Sequence, residues 1–161
     1  MPGPTRLVRA LRAPLSSQLL AAEAFAELTL ARINTLFPAK HFTRLMGALE
    51  GTPIQANPEQ QAQAQRIGHI VTLTAGAMPF RVVCLQQVLA VRRMLHRRHI
   101  PSTIYLGVLK NDPLWDRQGS RSTMSIDGSE SGAHAWVKSG ELVVNGKTVN
   151  IDEYVILGIF S

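Results

Sequence analysis

The sequence predicts an α+β domain in which helices come first and an antiparallel sheet follows. Three observations carry this. Apolar residues recur at helical spacing as far as about residue 98. From Ser102 onward they fall instead into short runs bounded by Gly, Asn, Asp and Ser. The two patterns are segregated along the chain, as they are when helices pack on a separately built sheet.

The elements follow in order. From Pro14 to Phe37, Leu15, Leu19, Ala22, Ala26, Leu30 and Ile33 repeat as one helical stripe, with Ser16 or Ser17 as N-cap and Pro38 as the stop. A shorter helix over Lys40 to Leu49 carries Phe42, Leu45, Met46 and Leu49 and ends near Gly51. Asn57-Pro58 supplies an N-cap followed by proline at the first helical position, with Gln60 completing a capping box, and this third helix runs to about Thr74. The fourth, Phe80 to Arg98, carries Leu85, Val88, Leu89, Val91 and Leu95 and ends in the basic run Arg92, Arg93, Arg97, Arg98. Strands are expected over Ser102–Leu109, His134–Lys138, Glu141–Val144 and Tyr154–Phe160, the middle two joined by a Ser139-Gly140 hairpin turn. Between the first two strands, Asn111-Asp112-Pro113 makes a turn and residues 116–132 form a long polar loop. No internal repeat is present.

Composition bounds the function. The chain has 161 residues, 45% of them hydrophobic, enough for one cored domain with a helical extension. Its single cysteine rules out an internal disulfide framework and any multi-cysteine zinc site. The net charge of +6 favours an acidic partner of some kind. Arg6, Arg9 and Arg12 precede Leu19-Leu20-Ala21-Ala22, but Glu23 and Glu27 cut that apolar run too short for a secretory core or a membrane span. A cytoplasmic protein with no membrane partner is expected.

The chemistry centres on Cys84 and on His134, which lies in Ala133-His134-Ala135-Trp136-Val137. A thiol in the opening turns of a helix meets unpaired N–H groups and the positive end of the dipole, both of which favour a thiolate. His134 alternates with Ala133 and Ala135, so its side chain shares a face with Trp136, and its small neighbours leave room beside the imidazole. Taken by themselves, both residues also suit a role as core filling. A thiol at a helix start followed by a histidine on a strand is the order of papain- and transglutaminase-type cysteine catalysis. A third group should hold the imidazole. Asn145 on the following strand, Asp152 beyond it and Asp127 in the preceding loop are the candidates.

The remaining polar clusters carry less. His96 and His99 are spaced i, i+3, but the four arginines around them oppose a cation, so no metal is expected. His41 and His69 have no partner pattern. The basic cluster reads as a solvated helix end, with docking of an acidic peptide second. Without a recognition helix, zinc knuckle or stacking platform, nucleic acid is not an expected partner. No glycine-rich phosphate loop appears, and no cofactor is expected.

The stretches Pro79–Gln87, Leu95–Pro101, Tyr105-Leu106-Gly107-Val108 and Ala133–Val137, together with Leu36-Phe37-Pro38 and Arg44-Leu45-Met46-Gly47, resemble the transglutaminase-like leader peptidases of lasso-peptide biosynthesis. The resemblance covers most of the chain from about residue 20. It implies a papain/transglutaminase-like core, residues 57–161, with the cysteine at a helix N-terminus, preceded by a helical extension over residues 1–56. It also implies removal of a leader from a ribosomally made precursor peptide, which frees the core for a separate lasso cyclase. Cys84 would then be the nucleophile and His134 the base. The family's aspartate on the strand after the histidine is replaced here by Asn145 in Val143-Val144-Asn145-Gly146, and that departure favours a competing reading, a scaffold without catalysis. Members of the family often depend on a leader-recognition protein. Residues 1–75 read as helical rather than stranded, so that protein is expected to be a separate chain, with loop 116–132 as a candidate substrate contact.

Overall fold

The computed structural model describes residues 14–35, 55–110, 133–145 and 150–161. The expected helix over Lys40 to Leu49, the loop 116–132 and Asp127 lie outside these residues. The described elements are α1 (Leu15–Asn34), α2 (Pro58–Ala75), α3 (Cys84–His96), β1 (Thr103–Leu109), β2 (Ala133–Ser139), β3 (Leu142–Asn145), a short 3₁₀ turn (Ile151–Glu153) and β4 (Tyr154–Phe160). All neighbouring strands are antiparallel and the order across the sheet is β3-β2-β1-β4. The α+β architecture is as the sequence predicts.

α1 is rotated relative to its expected orientation. Its buried residues are Ala24, Glu27, Leu28 and Ala31, and α2 and α3 pack against it. The stripe of larger residues points outward, with Leu15 77% and Leu19 71% exposed. An internal ion network accounts for the rotation. Arg97 donates to Glu27 Oε1, and Arg93 Nε lies 3.1 Å from Glu27 Oε2 as a charge contact without hydrogen-bond alignment. Arg98 clamps Glu23 through both nitrogens, at 3.0 and 2.6 Å. Burying these partners requires the Glu23/Glu27 side of α1 to face α3. The hydrogen bond from Arg98 holds the Glu23 carboxyl below its usual range, and the bond to Glu27 raises Arg97.

The same network adds to the reading of the basic cluster. Arg93, Arg97 and Arg98 are committed to α1, and Arg92 Nη1 donates to the Phe160 carbonyl at 3.1 Å. The cluster fastens α3 to its neighbours while the helix end stays solvated, with His96, Arg97 and His99 exposed. Ser16 and Ser17 do not cap α1 either. Pro14 occupies the cap, and both hydroxyls accept from Arg66 Nη2, at 3.1 and 3.0 Å.

α2 starts as the sequence predicts. Gln60 N–H donates to Asn57 Oδ1 at 2.8 Å, Asn57 N–H donates to Gln60 Oε1 at 3.1 Å, and Pro58 opens the helix. At Gly68, a Cβ would lie 2.1 Å from the Val144 carbonyl oxygen, so this glycine sets how closely α2 approaches β3.

α3 is shorter than expected at both ends. It ends in a Schellman motif: Ile100 N–H donates to Leu95 O, His99 N–H donates to His96 O, and His99 takes the left-handed position at φ +53°. At the other turn of the sheet, Ser139 pairs with Leu142, so the hairpin loop is Gly140-Glu141, one residue later than expected. Gly140 has φ +57°, which suits glycine at the first position of a II′ turn.

One core unites the layers. Ala24, Leu28 and Ala31 of α1 join Ile67 and Val71 of α2, Val88, Leu95 and others of α3, and Ile104, Leu106, Ala135, Val137 and Phe160 of the sheet. Alternation along β1 and β2 then turns Tyr105, His134 and Trp136 to the opposite sheet face. On β4, the bulge opposite Leu106/Gly107 leaves Leu157 unpaired.

Candidate active site

Cys84 is the first residue of α3. Val83 is extended at φ −86° and ψ 161°, and its N–H donates to Gln86 Oε1 at 3.2 Å, which fixes the helix start one residue before the thiol. The sequence places that start at Phe80. The Gln86 side chain is fully buried, and its Nε2 donates to Thr35 Oγ1 at 3.0 Å, anchoring the start of α3 to the end of α1. Cys84 is partly buried and packs against the core. At this position the thiol lies beside the first-turn N–H groups, which have no acceptor within the helix.

His134 lies at the start of β2, opposite Gly107 of β1. Its ring stacks near Trp136 (centroids 6.4 Å apart, planes at 18°) and tilts against Tyr154 of β4 (6.0 Å, 50°). Trp136 in turn stacks on Tyr105 and meets the edge of Tyr154. Gly107 permits this: a Cβ there would lie 2.9 Å from Trp136 Cη2. Burial pushes the His134 imidazole below its usual range, favouring the neutral form. Its Nε2 and the Trp136 Nε1 are both buried, with no hydrogen-bond partner among the described residues. Two unpartnered polar atoms on one aromatic wall are costly, about 1–3 kcal/mol each.

The Tyr154 phenol is pushed up by burial first, and then by Glu153 and Cys84. The starts of β2 and β4 bring His134 and Tyr154 together, whereas Cys84, at the start of α3, packs against the core formed with Ala135 and Val137, on the other face of β2 from His134. Sequence reasoning did not single out Tyr154. Its signal is weak, a tyrosine opening a strand after an Asp-Glu turn.

The proposed third members occupy other places. Asn145 is buried, and its Nδ2 donates to Thr72 Oγ1 of α2 at 3.2 Å and to Gln87 Oε1 of α3 at 3.4 Å. Its strand partner is Val137, three residues along β2 from His134. Asp152 lies in the 3₁₀ turn, and its backbone carbonyl accepts from Lys110 Nζ at 2.6 Å. Among the described residues, neither side chain hydrogen-bonds His134.

A family model described as the transglutaminase-like superfamily matches residues 28–158 of this chain. The chain belongs to the transglutaminase-like superfamily. No curated protein and no solved structure matches it. The superfamily match begins within α1 and ends within β4, so it contains Cys84, His134, Tyr154 and Asn145. Among the described residues, no group of three or more His, Cys, Asp and Glu side chains is placed to hold a metal ion. None of the described helices is long and apolar enough to cross a membrane.

Proposed function

We propose that this transglutaminase-like protein is a cysteine peptidase that removes the leader from a ribosomally made lasso-type precursor, leaving the core for a separate cyclase. Two features support the reading, a thiol at the first position of α3 and, on β2, a buried imidazole biased toward its neutral form whose Nε2 has no hydrogen-bond partner among the described residues. A neutral imidazole can accept a proton, and an unengaged ring nitrogen is free to do so.

In this mechanism His134 takes the proton from Cys84 as Sγ attacks the scissile carbonyl carbon. The tetrahedral intermediate collapses, the C–N bond breaks, and His134 delivers the proton to the departing amine. Water, deprotonated by His134, then hydrolyses the thioester and restores the thiol. Asn145 contributes by tying Gln87, one turn after Cys84, to β3 and α2; as a direct support for the imidazole it is to be compared with Asp152. The partners are the precursor peptide, a separate leader-recognition protein and the cyclase, acting in a reducing cytoplasm that keeps Cys84 free.

Purified Cys84→Ala should keep its circular dichroism and lose all cleavage of the cognate precursor, and retained cleavage would sink the assignment. His134→Ala should fail likewise. Asn145→Ala and Asp152→Ala belong in the same assay, where an unimpaired Asn145→Ala removes Asn145 from the mechanism.

The placement of Asn145 against the helices favours a second reading, a transglutaminase-like scaffold that binds peptide without cutting it. Alkylation by iodoacetamide separates the two. A Cys84 rate that falls in His134→Ala supports the dyad, whereas a rate indifferent to that change supports the scaffold.

A further inference from the structure

α1 is apolar on two opposite sides. Its buried side is already satisfied by α2 and α3. The other side carries Leu15, Leu19, Ala22, Ala26, Leu30 and Ile33, all exposed, with Leu15 at 77%, Leu19 at 71%, Leu30 at 42% and Ile33 at 44%. At about 100° per residue these six fall within about 80° of one another, on a seam about 27 Å long. Their spacings of three and four residues are those of a helix-packing seam. None of the six is charged, and the nearby Glu23 and Glu27 are held by Arg97 and Arg98, just past the end of α3. Among the described residues, nothing covers the seam.

The order of residue sizes along the seam identifies its occupant. Leu15 and Leu19 lie toward one end, Leu30 and Ile33 toward the other, and only alanines, Ala22 and Ala26, lie between. Inverting the seam about the level of Ala24 brings Leu15 to Ile33, Ala22 to Ala26 and Leu19 to within a residue of Leu30. A pattern that maps onto itself in this way is what a two-fold, isologous contact requires. The alanine waist lets two backbones approach closely while the large residues close both ends. Antiparallel pairing also sets the two helix dipoles head to tail, which favours it further.

We propose that two copies of this chain associate through α1, antiparallel, with the Ala22/Ala26 waist at the two-fold axis. The seam lies mostly ahead of residue 28, where the superfamily match begins. Most of the contact therefore falls on residues ahead of those the superfamily model matches.

Sedimentation equilibrium on the full chain, over a micromolar to submillimolar range, should show a monomer–dimer equilibrium. Leu19→Lys alone and Leu30→Glu alone should each weaken association at least ten-fold with unchanged circular dichroism, since both side chains are exposed. The double variant Leu19→Lys/Leu30→Glu should restore the dimer, because antiparallel pairing sets each introduced lysine beside the partner's introduced glutamate. A parallel pair would set like charges together and stay apart. A wild-type chain that is monomeric at every concentration overturns the proposal and assigns the seam to another segment or another protein. Single variants that still dimerise, or a double variant that stays monomeric, overturn it equally.

Discussion

Replacing Glu27 with alanine should cost about 2–3 kcal/mol of stability, and the structure shows why the figure lies there. The carboxylate is only 4% exposed and faces two guanidinium groups, Arg97 on Oε1 and Arg93 at 3.1 Å from Oε2. Two opposite charges 3 Å apart attract by about 5 kcal/mol at an effective dielectric near 20, and much of this is spent on desolvating the carboxylate. Removing one partner of a buried pair usually costs about 3–5 kcal/mol because the other charge is stranded. Here the two arginines are 36% and 48% exposed, so each recovers part of its hydration and the loss falls below that range. Glu27→Gln keeps an acceptor for Arg97 and loses only the charge, so about 1 kcal/mol is expected.

Urea unfolding followed by circular dichroism measures both losses, with m unchanged. For a chain of this length the alanine variant should melt about 5–10 °C lower. An Arg97→Ala background should reduce the cost of Glu27→Ala by about 1 kcal/mol or more, the coupling expected of groups in direct contact. If Glu27→Ala costs less than about 0.5 kcal/mol, desolvation cancels the ion pairs, and the argument that this network sets the rotation of α1 fails.

Three further outcomes follow from other parts of the molecule. Gly68→Ala should destabilise by about 2–3 kcal/mol in the same urea assay, because its methyl would collide with the Val144 backbone, which cannot swing aside. His99→Gly should raise stability by up to about 1 kcal/mol, since glycine takes the left-handed position after α3 without the steric cost that histidine bears; a loss would show that the His99 side chain contributes more than its backbone costs. His134 titrates below its ordinary value, so its proton binds more readily in the unfolded chain, and this linkage reduces stability as pH falls from about 6.5 toward the folded value. The acid limb of kcat/KM for precursor cleavage should accordingly lie below about pH 6.5, and a limb above it would mean that the imidazolium is stabilised and the neutral-base mechanism is wrong.

How much of this was legible in the sequence depended on how local its cause was. The α2 cap was readable because Asn57, Pro58 and Gln60 interact with one another. The strands were readable to within a residue or so because alternation is set by the pleat. The orientation of α1 was not, because both of its faces look apolar and the choice was made by Arg93, Arg97 and Arg98, some seventy residues away. Size misled as well. Leu15, Leu19, Leu30 and Ile33 lay outside while Ala24 and Ala31 lay inside, because close packing on α2 and α3 favours small residues at those two positions. The same arginines were legible as a basic cluster, but their engagement with α1 could only be seen in three dimensions.

The candidate site divides along the same line. Cys84 and His134 could be found because each is tied to a local signal, a helix start and an alternating strand. Their environment could not, because it is assembled from separate strands. Burial in a wall made from Tyr105 and Trp136 on neighbouring strands and Tyr154 on the sheet edge favours the neutral form of His134. That wall suggests how the imidazole is held where no side-chain hydrogen bond reaches it among the described residues. A carboxylate would orient the ring through one directed bond and would favour its charged form. Ring packing on two sides restricts the ring without adding charge, which leaves the neutral form dominant. On this argument Trp136→Leu should lower kcat with little change in KM, because it loosens the base rather than the peptide. Adding a carboxylate through Asn145→Asp should not substitute for the lost ring, because Asn145 faces Thr72 and Gln87.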